Sequence, residues 1–351
     1  MLLTGLNMLI RAAKLSDLDE MMRLSTQMGE GMTSMPHDEP SWRKKLETAE
    51  SSFADEPEQR GQEIFQLVLV DENSDRIMGT CAIFAAVGMT HQFYSYKVSR
   101  TIMRSVELDI TADTEVLHLV NDFTGRTELA SLFLQQEFRR NPKYPAAGRF
   151  LSSCRYLMLA DFRTLFNDHV FAEIRGWINE DGTSPFWDAV GKHFFDIEFT
   201  EADFMSAVNG TQFIADLMPK DPVHIKLLSP EAQEVIAKPN KFSEPAMKML
   251  GAEGFYYTHY VDIFDAGPTI QCRLDQIESV RAAQTRTVIA ETSASEPNAT
   301  YLVSNQRLED YRIVMAEASI ESDSIALSAQ AQKQLGVMLG DSVTIIPLRH
   351  S

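Results

Sequence analysis

Short apolar runs alternate with segments of helical character along the first 250 residues of the chain. Runs rich in Val, Ile, Leu and Phe predict β-strands. These strands are expected at 8–12, 64–70, 77–87, 115–120, 128–134 and 170–175. Helices are expected from Ser16 to Met28, within 38–62, from Phe150 onward and over 185–194. The interleaved order of the two kinds of segment predicts a mixed α/β fold.

The last hundred residues have a different pattern, with short strands and a single short helix. Strands are expected at 260–264, 268–273, 287–291, 301–304, 312–316 and 342–347, with a helix at 329–335. Residues 292–299 are expected to be an exposed linker, because they are small and polar. We therefore predict a mixed core over 1–250 and a β-rich C-terminal region over 251–351.

One stretch combines a strand, a basic loop and a helix start. The apolar run Glu128–Leu134 precedes a loop, Arg139–Arg149, that contains three Arg, one Lys and a glycine. A helix begins near Phe150. This order presents backbone N–H groups and a helix N-terminus to a pyrophosphate, as found in coenzyme A or a nucleotide. The alternative is a surface loop whose arginines are simply solvated.

Composition limits the classes of function. With 351 residues the chain is long enough for about two domains. Its net charge of −18 argues against binding to nucleic acid or to an anionic membrane surface. No apolar run approaches the roughly 20 residues that span a bilayer. The eight histidines lack metal-ligand spacing, and no metal is expected. Cys81, Cys154 and Cys272 are widely spaced, which favours buried reduced thiols and a cytoplasmic location.

Several longer motifs resemble the arginine N-succinyltransferase family, within the acyl-CoA N-acyltransferase (GNAT) superfamily. They are Met8–Arg11 with Ser16–Leu18, Met32–Pro36, Asn121–Gly125, Glu128–Leu134, Ser184–Trp187, Gly191–Phe195, Phe213–Lys220 and Tyr260–Thr269. Their order is that of the family across nearly the whole chain. The resemblance implies a GNAT-like core in the α+β mixed sheet over 1–250. Family members usually start at the position of Met8, so 1–7 is expected to be an upstream extension.

The resemblance also implies a reaction and a donor site. The reaction is transfer of succinyl from succinyl-CoA to the α-amino group of L-arginine, the first step of arginine catabolism by the succinyltransferase pathway. Leu132 matches the succinyl-CoA contact of the family, and the pyrophosphate is expected near Arg139, Arg140, Gly148 and Arg149. For Leu132 the alternative is a purely structural position in the core.

Proton transfer raises a difficulty at one position. An ammonium group has no lone pair and cannot attack a thioester, so a proton acceptor is needed. The family assigns this work to a histidine, and the matching position here is Asn240, which cannot exchange a proton at physiological pH. His224 is the nearest histidine in sequence and is the second candidate for catalysis. A solvated loop histidine is the alternative for His224.

A binding site for the acceptor, L-arginine, is expected to contain carboxylates, because they pair well with a guanidinium. The candidates are Asp122, Glu128, Asp262 and Asp265, although turn capping is the alternative for Asp122 and Asp265. Other acceptors that fit are ornithine or another cationic amino acid. Because the family includes two-gene versions, the chain is expected either to form a homo-oligomer or to pair with a paralogous subunit. With Asn240 in place of histidine, a non-catalytic partner subunit is the competing hypothesis.

Overall fold

The computed structural model describes residues 7–27, 34–54, 61–209, 214, 217–291 and 299–348. Its strands are β1 Met8–Ala12, β2 Ile64–Asp71, β3 Arg76–Phe84, β4 Ser95–Ser105, β5 Ile110–Val120, β6 Thr127–Leu134, β7 His169–Glu173, β8 Val223–His224, β9 Tyr256–Val261, β10 Pro268–Arg273, β11 Gln284–Ala290, β12 Ala299–Ser304, β13 Arg312–Glu321, β14 Ser324–Leu327 and β15 Ser342–Pro347. Its helices are α1 Leu18–Ser25, α2 Glu39–Ser52, α3 Ala147–Asp161, α4 Pro185–Ala189, α5 Lys192–Phe195, α6 Phe199–Asn209, α7 Pro230–Val235, α8 Glu244–Ala252, α9 Glu278–Ala282 and α10 Ala329–Leu335.

All these strands belong to one hydrogen-bonded mixed sheet. From β1 the order runs β1–β2–β3–β6–β7–β10–β9–β4–β5–β8. Within this run only β6 and β7 are parallel. The predicted mixed sheet and the predicted β-rich C-terminal region are both confirmed.

The C-terminal strands close on themselves. Pairing runs from β13 to β12, then to β15, β11, β14 and back to β13, which makes a ring of five strands. Apolar side chains including Val288, Val303 and Ile345 fill its interior. Strand β13 also pairs with β1, so the ring extends the main sheet. By contrast, β9 and β10 lie inside the main sheet between β7 and β4, and the boundary at residue 250 stays a prediction.

Helix α3 covers one face of the main sheet. Side chains of β7 that do not contact α3 lie on the opposite face. Val170 and Ala172 of β7, and Ile174 directly after it, join the core that α3 packs against. Successive side chains of a strand point to opposite faces. Phe171 and Glu173 therefore lie on the face away from α3, toward α1 and α2. The candidate site lies on that face.

Some predicted elements were wrong in extent or missed. Strand β4 was not predicted, because Lys97, Arg100 and Arg104 interrupt its apolar pattern; β14 was also missed. The single helix expected over 185–194 is two helices, α4 and α5. Between them Gly191 lies against the Trp187 ring, where a Cβ would come within 2.3 Å.

Helix boundaries near the N-terminus also differ from prediction. Ser16 does not cap α1; it lies in a 3-10 turn, Leu15–Asp17, and α1 begins at Leu18. Helix α2 is capped by Asp38, whose side chain accepts from Ser41 N at 2.9 Å. The expected helix end at Met28 and most of the expected linker, 292–298, lie outside the described residues.

A buried carboxylate ties α3 to the C-terminal ring. Asp161 Oδ2 accepts from Ser304 Oγ at 2.6 Å and from Tyr311 OH at 2.8 Å. Asp161→Ala would leave both hydroxyls without this partner, and we expect the free energy of unfolding to fall by about 2 kcal/mol. Urea unfolding measures this loss, and Asp323→Ala in an exposed turn is the control. A loss no larger than that of the control would contradict the assignment.

Candidate active site on the face opposite helix α3

Strands β6 and β7 part after a short stretch of pairing. The described pairs between them are Thr127↔Val170 and Glu128↔Phe171. On its other edge, β6 stays paired with β3 as far as Gly79↔Leu134. Between Leu129 and Leu134 the edge that faces β7 therefore has no strand partner among the described residues. An extended ligand can hydrogen-bond to such an edge, and Leu132 lies within it.

A β-bulge distorts β6 at the middle of this open edge. The register with β3 shifts between Thr80 and Ala82, so Ser131 and Leu132 together oppose a single residue, Cys81. Ser131 has a positive φ of 53°. Bulges re-aim the backbone and occur beside active sites, and this one changes the direction of the amides around Leu132.

Lysine 45 of α2 holds the bulge in place. Its Nζ donates to Ser131 Oγ at 3.0 Å and to the backbone oxygen of Ser34. The same ammonium lies 5.1 Å from the ring centroid of Trp42 and 5.2 Å from that of Phe84. The Lys45 side chain is buried. Lys45 therefore links helix α2 to β6 close to the position where β6 and β7 stop pairing.

The basic loop leads from the open edge to the N-terminus of α3. Arg139 Nε donates to Leu134 O at 2.7 Å, and Arg139 and Arg140 are both exposed. Helix α3 begins at Ala147, earlier than predicted, so Gly148 and Arg149 lie in its first turn. First-turn amides have no intrahelical partner, and the helix dipole makes this end attractive to anions.

This helix end lies directly beside the end of β6. A Cβ built on Gly148 would be 3.6 Å from Leu134 Cδ2. The open edge, the two exposed arginines and the amide groups of α3 therefore form one continuous surface. Its chemistry suits an extended chain that ends in a diphosphate.

Ionisable side chains gather where β6 and β7 part, on the face away from α3. We define the polar cluster as Lys45, Glu128, Glu173, Asp262 and Asp265. Their charges interact electrostatically. Glu128 stands opposite Phe84 in the β3–β6 register, on the side of the sheet where Lys45 covers that ring. The cluster thus contains four carboxyl groups and one ammonium, and the ammonium interacts with Glu128.

Burial shifts the protonation of the polar cluster. Burial lowers the pKa of Lys45 to about 7, although the nearby Glu128 opposes that change. Burial raises the pKa of Glu128 to about 7, with Lys45 opposing the rise and Asp262 adding to it. Burial also raises the pKa of Glu173 well above its usual range, and Asp262, Glu128 and Asp265 raise it further. The cluster can therefore exchange protons near neutral pH and attract a cation.

Two members of the cluster shape a turn. Asp265 Oδ2 accepts from Gly176 N at 2.6 Å, and its Oδ1 accepts from Gly267 N at 2.8 Å. Asp262 Oδ1 accepts from Phe264 N at 2.7 Å and from Asp265 N at 2.9 Å. These bonds fix the connection between β9 and β10 and join it to the chain after β7.

Glu173 was not among the residues named from the sequence. It ends β7, and its Oε1 is buried without a hydrogen-bond partner in the described part of the chain. The available signal was a single acidic residue inside the apolar run Val170–Ile174. That signal is weak, because a strand end commonly carries an exposed charge.

Asp122 lies apart from the bonds of the polar cluster. Its Oδ2 accepts from Tyr260 OH at 2.7 Å and is 3.8 Å from Lys97 Nζ. Tyr260 packs its ring against Phe123, with centroids 4.9 Å apart. Since Tyr260 and Thr269 are register partners, Asp122 belongs to the same face of the sheet, on the β4 side.

Asn240 adjoins the end of β7. Its backbone N donates to Arg175 O at 2.8 Å, and Pro239 forms an isolated bridge with Gly176. The Asn240 side-chain Oδ1 accepts from Phe242 N at 3.0 Å, which makes a local turn before α8. Asn240 therefore touches the segment that follows Glu173.

His224 lies elsewhere in the sheet. It is exposed on β8, opposite Val116 of β5. In the sheet order, β10, β9, β4 and β5 stand between β8 and β7. The structure thus brings Glu128, Asp262 and Asp265 together near Asn240, and it leaves His224 at the far edge.

Metal ligands, membrane-spanning helices and thiols complete the description of the side chains. Within the described ranges no group of three His, Cys, Asp or Glu is placed to hold a metal ion. No helix in that part of the chain has the length and apolarity needed to cross a membrane. The three cysteines are buried and free, as predicted, with Cys81 Sγ and Cys154 Sγ 3.5 Å apart.

Comparisons with known proteins confirm the family that the sequence motifs resemble. The family "Arginine N-succinyltransferase beta subunit" matches residues 8–279, and the C-terminal domain of that subunit matches residues 284–347. Subunit beta of arginine N-succinyltransferase from Pseudomonas aeruginosa is 39% identical over 341 residues, which cover 97% of this chain and 98% of that protein. Arginine N-succinyltransferase from Photorhabdus laumondii is 37% identical over 342 residues, with the same two coverages.

A solved structure has the same fold. It is subunit AI of arginine/ornithine succinyltransferase from Pseudomonas aeruginosa, with a TM-score of 0.88 and 32% sequence identity. The match covers 99% of this chain and 100% of that chain. The likeness therefore extends over both the main sheet and the C-terminal ring.

Proposed function

Because this chain belongs to the arginine N-succinyltransferase family, we propose that it transfers the succinyl group of succinyl-CoA to the α-amino group of L-arginine. As a member of that family the chain is an acyl-CoA-dependent acyltransferase. One observation supports the proposed acceptor most strongly. The polar cluster gathers four carboxyl groups, and one of them, Glu128, lies on β6 beside Lys45. A bound cation favours the ionised form of such carboxyl groups, so the two cationic groups of arginine can pair with them.

The acyl donor binds along the open edge of β6. The pantetheine amides pair with the backbone near Leu132, and the diphosphate meets the first-turn amides of Gly148 and Arg149. Arg139 and Arg140 add positive charge at the same place. Support comes from the missing β7 partner along Leu129–Leu134 and from the contact between the start of α3 and the end of β6.

The acceptor binds on the face away from α3. Glu128 receives the cationic acceptor, with Asp122 on the Tyr260 side of the same face. Asp262 and Asp265 act through the turn that they hold, since their oxygens accept backbone N–H groups. A guanidinium has five donors in a planar fork and pairs best with such carboxylates.

The reaction needs two proton losses from the acceptor nitrogen. The α-ammonium first loses one proton to become a nucleophile. Its nitrogen then forms a bond to the thioester carbon, and the carbon–sulfur bond breaks. A second proton leaves the nitrogen, and the CoA thiolate takes up one proton to become a thiol. Backbone N–H groups re-aimed by the bulge at Ser131 are suited to stabilise the oxyanion.

Release of free thiol tests the proposal. Purified protein with succinyl-CoA should release thiol when L-arginine is added and should release far less with acetyl-CoA or without an acceptor. L-ornithine is tested beside L-arginine, because the similar Pseudomonas aeruginosa subunit belongs to an arginine/ornithine succinyltransferase. Absence of arginine-dependent release from a folded protein that binds CoA would reject this function.

The donor site gives a separate prediction. Arg139→Ala combined with Arg140→Ala should raise KM for succinyl-CoA about tenfold, since each charge-assisted contact contributes roughly 1.5–3 kcal/mol and solvent screens part of it. The matched control is Arg100→Ala with Arg104→Ala, which removes two exposed charges from β4. Equal KM values for the two double variants would contradict the assigned loop.

A second candidate function is that of a non-catalytic partner subunit. It is favoured by Asn240, which fills the position of the family histidine and caps a local turn. Similar proteins carry subunit names, so assembly with a second copy or a paralogous chain forms part of the proposal. Thiol release by this chain alone would reject the partner-subunit function.

We also place the protein in the cytoplasm, where its three free thiols would stay reduced.

A further inference from the structure

Two of the buried oxygens without a partner among the described residues stand next to each other on the candidate face. They are Glu173 Oε1 and Thr269 Oγ1. Thr269 is 0% exposed. The two residues stand opposite each other in the β7–β10 register, so their side chains lie on the same face of the sheet. A polar ligand between them would satisfy both atoms.

These two oxygens lie where β6 and β7 have just separated. The last pair between those strands is Glu128↔Phe171, and Phe171 shares its face with Glu173. The unpartnered oxygens therefore follow directly after the pairing ends, beside the start of the open β6 edge. This is the junction between the proposed donor and acceptor sites.

The neighbouring carboxyl groups are already engaged. Asp262 and Asp265 accept backbone N–H groups, and Glu128 has Lys45 as its counter-charge. A buried oxygen without a partner costs about 1–3 kcal/mol, so Glu173 Oε1 does not stabilise the fold. Within the polar cluster, Glu173 Oε1 is the carboxylate oxygen that is both buried and without a partner in the described part of the chain, so a hydrogen-bond donor on a ligand would satisfy it.

We propose that Glu173 is the proton acceptor for the acceptor amine, with the Thr269 hydroxyl orienting the same nitrogen. This inference rests on the proposed function. Glu173 takes one proton from the α-ammonium, and the resulting amine attacks the thioester carbon. As the carbon–sulfur bond breaks, the proton on Glu173 passes to the CoA thiolate. The second proton of the nitrogen leaves to solvent, so the carboxylate is regenerated.

The neighbourhood of Asn240 is consistent with this role. Asn240 cannot carry a proton, and its side chain is bonded to Phe242 N. Its backbone is bonded to Arg175, two residues after Glu173 along the chain. A carboxylate on β7 thus supplies, close to the family histidine position, the proton exchange that asparagine lacks.

The charges around Glu173 decide the pH dependence. Glu128 faces it from β6, and Asp262 and Asp265 face it from the β9–β10 turn. Lys45 on α2 lies beside Glu128, while on the β4 side Lys97 and Asp122 are paired through Tyr260. Burial, and after it the surrounding negative charge, raises the pKa of Glu173 and favours its protonated form. Because a base must be deprotonated to act, turnover should rise with pH through this raised pKa.

Glu173→Gln tests the role through turnover and its pH profile. With succinyl-CoA and L-arginine, kcat should fall about 100-fold or more, as for loss of a general base. KM for succinyl-CoA should stay within about twofold, and the acidic limb of the pH profile should disappear. Glu115→Gln on β5, an exposed position, is the matched control and should leave kcat and the pH profile unchanged.

Glu173→Asp separates catalysis from structure. It keeps a carboxylate, so it should retain the acidic limb and recover part of the lost kcat. A Glu173→Gln enzyme with near-normal kcat and the same pH profile would overturn the inference alone. So would a Glu173→Asp enzyme less active than Glu173→Gln. A wild-type protein without arginine-dependent thiol release would overturn the proposed function and this inference with it.

Discussion

Replacing Lys45 with methionine should lower the free energy of unfolding by about 3 kcal/mol. The ammonium of Lys45 is buried, donates to Ser131 Oγ and Ser34 O, and is the counter-charge of Glu128. Loss of the ammonium leaves these buried acceptors without their donor, and each such group costs about 1–3 kcal/mol. Turnover should fall as well, since the bulge at Ser131 loses its contact with α2.

Urea unfolding of the wild-type protein and of Lys45→Met across a range of pH measures this loss of unfolding free energy. Burial lowers the pKa of Lys45 to about 7, so above that pH the folded state binds fewer protons than the unfolded state. Wild-type stability should therefore gain a contribution as pH rises from 7 toward the ordinary lysine pKa, and Lys45→Met should lose it. Lys44→Met, at an exposed neighbour on α2, is the control. If both variants behave alike, the buried pair is not formed.

Replacing Asp265 with alanine should cost about 4 kcal/mol of unfolding free energy. Its two oxygens accept the N–H groups of Gly176 and Gly267, and each buried N–H left unpaired costs about 1–3 kcal/mol. These bonds join the β9–β10 turn to the end of β7, so the position of Glu173 should also be disturbed. Turnover is expected to fall together with stability.

Thermal and urea unfolding, with thiol release as the activity assay, test this prediction. Asp275→Ala is the matched control, because Asp275 is a partly exposed partner of Arg273. Asp265→Asn should lie between wild type and Asp265→Ala, since the amide oxygen can still accept one N–H. A loss below about 1 kcal/mol for Asp265→Ala would mean that the turn does not depend on this carboxylate.

Local pattern was sufficient for much of the fold. Met8–Ala12, Pro268–Arg273 and Ser342–Pro347 were predicted to the residue, because each is a short apolar run between turn signals. Strand β4 was missed, since charged residues on its exposed side hide the alternation. The closed ring of C-terminal strands could not be predicted either, because strand pairing is non-local and the chain carries no local sign of register.

Some residues of the candidate site could also be predicted from the sequence, and others could not. The resemblance implied arginine as the acceptor, and residue type then pointed to Asp122, Glu128, Asp262 and Asp265 as its carboxylates. The structure brings the last three together. Glu173 joins them only through the register of β7 with β10 and through the separation of β7 from β6. Neither feature can be read from neighbouring residues. The resemblance to the family supplied Asn240, which nothing in its local sequence would have marked.

Identification of the reaction product tests directly whether the protein succinylates the α-amino group of L-arginine. The protein is incubated with succinyl-CoA and L-arginine labelled with ¹⁵N at the α-amino group, and the product is analysed by mass spectrometry and NMR. We expect one product, in which the succinyl carbonyl carbon is coupled to the labelled α-nitrogen. Succinylation at a guanidino nitrogen, or no product from a folded protein that binds CoA, would contradict it.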